Sequence, residues 1–266
     1  MDEKSSNKFF IEIDTLKDRV SAKLDKFIRK PSNERNVLNN PNDAIQAITG
    51  VQGDIIEKYS EEILSKKLLD VIDKNLRNNI PHHRYEMVKN FKDDTEWIKI
   101  VHSIYILIRI LKPSTILETG VGEIGLSTTF ILSALQTNNN GTLYSIDPDK
   151  FYDIYGYHVG GGIPENLRTR HKLIKGKSQQ TMKELLEKIG SIDIFLHDGD
   201  HRYKTKLFEY ELAYTYMNKH AGIILSDDTW DSAFDFFTNE HKLSPYSIKY
   251  DGNDYFSYVH LSPPSI

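Results

Sequence analysis

The segment Ile192-Asp193-Ile194-Phe195-Leu196-His197-Asp198-Gly199-Asp200-His201-Arg202-Tyr203 runs from an apolar stretch straight into a cluster of ionisable groups. Carboxylates crowded into one cleft raise one another's pKa unless a cation intervenes. A second apolar run ends the same way, in Ser226-Asp227-Asp228-Thr229. If the two runs are neighbouring strands, their carboxyl ends lie about 5 Å apart, and Asp198, Asp227 and Asp228 converge on one ion. Oxygen donors in a chain without cysteine suit Mg²⁺ or a similar hard divalent cation. His201, neutral near pH 7, is a proton acceptor beside them. Plainer roles compete with these: Asp228 as a helix cap, Asp200 as a turn residue or a partner orienting His201, His201 as a loop residue bonded to a carboxylate, and a site without metal. His82, His83 and His197 have no ligand-spaced partner and receive no metal role.

Upstream, an apolar run opens into Glu118-Thr119-Gly120-Val121-Gly122-Glu123-Ile124-Gly125-Leu126-Ser127-Thr128. Glycines at such a place let the backbone turn tightly and approach a ligand at a helix N-terminus. Gly120-x-Gly122-x-x-Gly125 also matches the dinucleotide fingerprint, and Asp147 lies at a ribose-binding distance for either cofactor. Glu118 separates the two. A carboxylate at the mouth of the strand repels a pyrophosphate, whereas a sulfonium-bearing amino acid with its own ammonium group tolerates it, which favours S-adenosylmethionine over a nicotinamide dinucleotide.

These segments need a parallel sheet to bring them together. From Thr115 short apolar runs alternate with longer amphipathic stretches, the pattern of βα units. Strands are predicted at 115–118, 142–147, 172–175, 192–197 and 222–226, and helices at 125–136, 180–189 and 204–218. The pattern then changes: 247–250 and 255–261, separated by Asp251-Gly252-Asn253, read as an antiparallel hairpin, an uncommon ending for a dinucleotide dehydrogenase. Residues up to about 90 read as polar and helical, with Ile55, Ile56, Tyr59, Ile63, Leu64, Leu68, Leu69 and Ile72 at helical spacing and breaks at Pro31, Asn39-Asn40-Pro41 and Gly50. Ile80-Pro81-His82-His83 reads as an extended turn. Asp93-Asp94-Thr95 is placed to cap a helix through Trp97 and Leu111, stopped by Lys112-Pro113. The expected organisation is therefore an α/β, Rossmann-like, mostly parallel seven-stranded sheet with a C-terminal antiparallel hairpin over residues 93–266, preceded by a helical accessory region over 1–92.

Glu118-x-Gly120-x-Gly122 resembles the first motif of class I S-adenosylmethionine-dependent methyltransferases, and Tyr144-Ser-Ile-Asp147-Pro148 the second, whose acidic residue binds the ribose hydroxyls. The third glycine comes one residue later than the common pattern, so the register of the methionine contacts, Ser127 among them, is shifted. Gly176-Lys177-Ser178-Gln179 is similar to the adenine-contacting turn of catechol O-methyltransferase-like enzymes, in which Ser178 and Gln179 would frame the adenine; Ser178 would serve equally as a helix cap. Asp198-Gly199-Asp200-His201 with Tyr203 looks more like the bacterial macrolide and sugar O-methyltransferases. That resemblance, covering residues 115–229, implies a cofactor site of Glu118, Gly120, Gly122, Ser127, Asp147, Ser178, Gln179 and Asp198. It implies metal ligands Asp198, Asp227 and Asp228, and His201 as the general base.

The 266 residues, 39% hydrophobic and 27% charged, suffice for one α/β domain with an accessory segment. A formal net charge of −4 supplies no overall positive field for a phosphate backbone, so no nucleic-acid partner is expected. The first residues lack the basic flank and apolar run of a secretory signal, and the apolar stretch 98–111 is too short for a bilayer and carries Lys99, His102 and Arg109. A cytoplasmic protein acting on a small-molecule acceptor is expected, with homo-oligomerisation left open. The acceptor, a sugar, polyketide or phenol, should sit above the carboxyl edge of the sheet. Its walls would come from the aromatic- and glycine-rich 152–164 segment, read either as a mobile lid or as a plain linker, and from 230–237. A metal-independent N- or C-methyltransferase and a noncatalytic S-adenosylmethionine-binding protein remain the alternatives.

Overall fold

The computed structural model describes residues 35–251 and 254–262. The N-terminal segment read for targeting, the break at Pro31 and the Gly252-Asn253 turn lie outside the described residues.

Strand β1 (Asn36–Leu38) leads into helices α1 (Pro41–Thr49), α2 (Gly53–Ser65), α3 (Leu68–Asn79) and α4 (His82–Val88), then a 3₁₀ turn and α5 (Thr95–Leu111). The Asn-Asn-Pro break is the start of α1: Asn40 accepts a hydrogen bond from the Asp43 backbone N–H, and Gly50 closes the helix in the left-handed conformation. Of the run Asp93-Asp94-Thr95, it is Asp94 that caps α5, accepting from the Trp97 N–H at 3.0 Å. The extended stretch after α3 is confined to Ile80 and Pro81, because proline fits just ahead of a first helical turn and His82 already belongs to α4.

The remaining elements alternate: β2 (Thr115–Thr119), α6 (Leu126–Asn138), β3 (Thr142–Asp147), α7 (Lys150–Tyr155), β4 (His171–Lys175), α8 (Ser178–Ile189), β5 (Ile194–His197), α9 (Tyr203–Tyr216), β6 (Ile223–Ser226) and α10 (Ala233–Glu240). The chain ends in the antiparallel pair β7 (Tyr246–Asp251) and β8 (Asp254–His260). All form one sheet in the order β1-β7-β8-β6-β5-β2-β3-β4. The sheet thus has eight strands among the described residues, not the expected seven. The added strand is Asn36–Leu38, which pairs in parallel with β7. Three residues are too few to show a period-two pattern, and pairing through the backbone leaves no trace in side-chain type.

The central strands are buried on both faces, which is why their sequences are mostly apolar. Ile116, Ile194, Leu196, Ile223 and Leu225 point into a core shared with α1 to α6, whereas Leu117, Phe195 and Ile224 point into a second core under α8, α9 and α10. The N-terminal helices are part of the first core: Ala44, Ile45, Ile63, Ile72 and Leu76 are buried in it. No helix of the described residues is long and apolar enough to cross a membrane.

From β2 the chain builds outward through β3 and β4, then returns to β2's other side for β5 and β6. The connections leaving β2 and β5 therefore diverge and open a crevice between their carboxyl ends. In an open parallel sheet this switch point is where ligands bind.

Candidate active site

Strand register alone assembles the site. Thr119 pairs with His197, and His197 with Ser226, so the next residues of the three strands, Gly120, Asp198 and Asp227, leave the sheet edge side by side. On β2's other flank Thr119 pairs with Ile146, which sets Asp147 at the same level.

Asp198, His201 and Asp227 come together, each offering a ligand atom within 4.8 Å of the others. Asp198 is held well above the usual carboxylate range, by burial first and then by the charges of Asp227, Glu118 and Asp228. Asp227 is pushed up to about 7 by burial and by Asp228. Burial lowers His201 to about 4 against the opposing pull of Asp228, so its imidazole is neutral at physiological pH. Asp228 stands beside this group: its carboxylate lies 3.5 Å from His201 Nδ1 and accepts from Tyr250 Oη at 3.0 Å, while Tyr250 Oη also meets Asp227 at 2.7 Å. Asp200 pairs with Arg202 and accepts from Thr205 at 3.0 Å, so it orders the loop instead of touching His201. His197, given no metal role, is a buried core histidine with Nδ1 2.6 Å from Glu209.

Three further residues shape the acidic loop, and local sequence gave no signal for them. Arg35 Nε meets Asp235 at 2.8 Å, and its other nitrogens reach the carbonyl oxygens of Thr229 and Asp231. Lys206, fully buried in α9, donates to the Asp228 carbonyl at 2.5 Å and to Asp231 at 3.2 Å, with its ammonium 4.1 Å from the centre of the Trp230 ring. Tyr250 arrives from β7. A cation on a helix and a tyrosine in a strand both look ordinary in one dimension.

The glycine loop is tied to the same edge. A Cβ on Gly120 would stand 1.9 Å from the Asp198 carbonyl oxygen, so the β2 and β5 exits touch only because position 120 has no side chain. Gly122, with φ +67°, has nothing within 4 Å of where a Cβ would be and faces open space. Asp147 accepts from the backbone N–H of Val121 at 2.9 Å and of Gly122 at 3.2 Å, fixing the loop's path. A cavity of about 340 Å³ lies above this edge, lined by Gly120, Gly122, Asp147, Ser178, Gln179 and Asp198 among others. Ser178 opens α8 without a capping bond, and Gln179 Nε2 donates to Thr205 Oγ1 at 2.7 Å.

Glu118 and Ser127 sit elsewhere. Glu118 is fully buried beneath the loop and accepts from Ser127, Thr128 and Ser145 at 2.9, 2.9 and 2.7 Å. It lines neither this cavity nor the next, and burial pushes its carboxyl up to about 7. Ser127 lines a second cavity, of about 370 Å³, which shares Gly122 and Asp198 with the first.

The 152–164 segment differs from both expectations held for it. Its first residues belong to α7, and Gly160, Gly161 and Gly162 donate their N–H groups to the carbonyls of Gly122, Glu123 and Ile124 at 2.8, 2.9 and 3.0 Å. Gly161 and Gly162 pack so closely on Ile80 and Ile72 that a Cβ would stand 2.5 and 2.6 Å from those side chains. A strap bonded along the glycine loop and wedged under the N-terminal helices replaces a loose lid. Arg84 of α4 completes the clamp, meeting Glu123 at 2.6 and 3.0 Å and Tyr157 Oη at 3.2 Å.

A parallel sheet with a switch-point crevice, a glycine loop under one cavity and a carboxylate–histidine cluster beside it defines a nucleotide-cofactor enzyme of the Rossmann-like class. Residues 117–229 match the model of a family described as a methyltransferase domain, a match covering less than half of the chain. Over that segment the chain resembles a methyltransferase domain. No curated protein matches the sequence. Among solved structures, an inferred O-methyltransferase from Klebsiella pneumoniae aligns at 18% identity over 74% of this chain and 90% of that one, with a TM-score of 0.49. The methyltransferase PaMTH1 from Podospora anserina, bound to S-adenosylhomocysteine, aligns at 15% identity over 75% and 88%, with a TM-score of 0.46. The O-methyltransferase TomG from Streptomyces achromogenes, in complex with S-adenosylmethionine, aligns at 13% identity over 60% and 78%, with a TM-score of 0.42.

Proposed function

We propose that the chain methylates a hydroxyl oxygen of a small molecule, with S-adenosylmethionine in the first cavity and a divalent cation at the carboxylates beside it. The observation that carries this reading is the convergence of Asp198, His201 and Asp227 within 4.8 Å at a floor that both cavities share through Asp198. The donor set fits such an ion. Three neighbouring aspartates, two of them with raised pKa, are costly to keep ionised together without a cation, and carboxylate oxygens suit Mg²⁺ or Mn²⁺. Asp198, Asp227 and Asp228 would hold it.

When bound, the cofactor would supply the methyl group to the acceptor oxygen and leave as the neutral thioether, and the cation would supply Lewis acidity that lowers the acceptor hydroxyl's pKa. The residues of the chain do the rest. Gly120 and Gly122 give the ligand close access to backbone, Asp147 takes the ribose hydroxyls, and Ser178 and Gln179 frame the adenine. His201 takes the hydroxyl proton. Its neutral imidazole is the accepting form, and Asp228, 3.5 Å from Nδ1, orients the ring and stabilises the charge it gains. Glu118 acts from below, holding Ser127, Thr128 and Ser145 so that the loop keeps its shape.

Calorimetric titration with S-adenosylmethionine, NAD⁺ and Mg²⁺ tests the cofactor assignment, and Asp227→Ala tests the metal. Saturable S-adenosylmethionine binding in wild type, together with loss of Mg²⁺ binding but not of cofactor binding in Asp227→Ala, is expected. Preference for NAD⁺, or Mg²⁺ binding unchanged in the variant, overturns the assignment concerned.

A further inference from the structure

Asp227 and Asp228 are consecutive in the chain, and in an extended strand consecutive side chains leave on opposite faces. Here both carboxylates meet one atom, the Tyr250 hydroxyl, at 2.7 and 3.0 Å, so they leave on the same side. The backbone explains the reversal. Asp227 still follows the strand, its N–H donating to the His197 carbonyl at 2.9 Å, and Thr229 is fixed again by donating its N–H to the Tyr255 carbonyl at 2.9 Å. Between those two anchors Asp228 has φ +50°, in the left-handed region that costs free energy for a residue with a Cβ.

Such a conformation persists only where its surroundings over-determine it, and two buried cations do so here. Lys206 donates to the carbonyl oxygen of Asp228 itself at 2.5 Å, and is held there by the Asp231 carboxylate at 3.2 Å and the face of the Trp230 ring. Arg35 takes the next carbonyl, that of Thr229, and also donates to Thr229 Oγ1 at 3.2 Å and to the Asp231 carbonyl at 3.0 Å. Both cations thus grip backbone oxygens of the loop. Because Lys206 lies in the first turn of α9, just after the loop that carries Asp198 and His201, it ties that loop to the one that carries Asp227 and Asp228.

We propose that Lys206 and Arg35 are the positioning residues of the divalent-cation site: by gripping the backbone of 228–231 they hold Asp228 in its left-handed conformation, and so turn two consecutive aspartates into a pair of ligands that converge beside Asp198. The inference rests on the metal reading given above. A buried ammonium so near has two opposing effects on a divalent cation. Its charge repels the ion, while its hydrogen bond supplies the ligand geometry ready-made. The repulsion is blunted because Lys206 is already paired with Asp231, both side chains being fully buried, and the geometric effect therefore wins.

The test measures metal binding directly in the full-length protein, by electron paramagnetic resonance of free Mn²⁺, with S-adenosylmethionine affinity measured alongside by calorimetry. Lys206→Met combined with Asp231→Asn removes the ion pair from both sides, so no charge is stranded, and the asparagine keeps an oxygen for the Ala233 N–H, which Asp231 accepts at 2.9 Å. The Mn²⁺ dissociation constant of this double variant should rise by about tenfold or more. That of S-adenosylmethionine should stay constant, since Lys206 lines neither cavity. Arg35→Lys, a smaller change that tests the same clasp should the double variant not fold, keeps the charge but loses the planar fork that serves several oxygens at once. It should raise the Mn²⁺ constant by about threefold, the size of one weakened hydrogen bond. Mn²⁺ bound as tightly or more tightly by the folded double variant would mean that Lys206 only screens the aspartates, and Mn²⁺ affinity indifferent to Arg35→Lys would remove the clasp; either result overturns the inference. Parallel losses of Mn²⁺ and S-adenosylmethionine affinity overturn it as well, by reducing both residues to general packing. Wild-type protein that holds no Mn²⁺ removes the metal reading itself, and the inference with it.

Discussion

The Arg84–Glu123 contact should act as a clamp between the N-terminal helices and the cofactor loop, and its strength can be worked from the geometry. Both side chains are nearly buried, 13% and 7% exposed, and the guanidinium makes two charged hydrogen bonds, at 2.6 and 3.0 Å. The Arg84 pKa is pushed up mainly by its hydrogen bonds to Glu123, which marks strong mutual stabilisation. Arg84→Met keeps much of the stem that packs near the Phe151 and Tyr155 rings but leaves the Glu123 carboxylate buried without its cation. Breaking a buried pair from one side costs about 3–5 kcal/mol. Tyr157, which still donates to Glu123, reduces that to about 2–3 kcal/mol here. The double variant Arg84→Met with Glu123→Gln removes the stranded charge, so its cost should fall to about 1 kcal/mol, a coupling of about 2 kcal/mol. Urea unfolding of wild type, both single variants and the double variant measures this cycle. Because Gly122 and Glu123 are neighbours in the loop, the Arg84→Met cofactor dissociation constant should also rise about tenfold, corresponding to about 1.4 kcal/mol. Single-variant costs that add to within about 0.5 kcal/mol, or cofactor affinity indifferent to Arg84, would refute the clamp.

Two other outcomes are expected. With its pKa raised from 4.5 to about 7 on folding, Glu118 retains a proton that the unfolded chain releases, so its contribution is complete below about pH 4.5 and is lost as pH rises to 7. Across that window stability should fall by about 3 kcal/mol from this group, and Glu118→Gln should flatten the urea midpoint against pH; parallel profiles for variant and wild type would contradict it. Gly120→Ala should destabilise the protein outright, since its Cβ would meet the Asp198 carbonyl at 1.9 Å. Gly122→Ala, with open space at that point, should cost only about 1–2 kcal/mol for its left-handed backbone yet abolish cofactor binding. Melting temperature and calorimetric affinity separate the two, and a Gly120→Ala protein as stable as Gly122→Ala would count against the packing argument.

What the sequence determined was local. Short, mostly apolar runs alternating with amphipathic stretches specify buried strands, so β2, β3, β5 and β6 were legible, and the hairpin showed itself by its change of spacing. Asp198 and Asp227 were legible as neighbours because each follows a strand, and a strand's carboxyl end fixes where the next residue goes. The tertiary structure alone decided which groups face a ligand and which face each other. Glu118 was read at the strand mouth, but the strand's alternation turns it beneath the loop to three hydroxyls distant in the chain or on the next helix. The glycines of 160–162 signalled freedom, yet close packing on Ile72 and Ile80 uses their small size to seat a strap. Arg35, Arg84, Lys206 and Tyr250 gave no signal, because a charge or phenol acquires its role from partners that only folding brings near. Strand and turn propensities act over a few residues, whereas burial, ion pairing and pKa depend on contacts that the sheet order creates between positions up to 200 residues apart, as in Arg35 and Asp235.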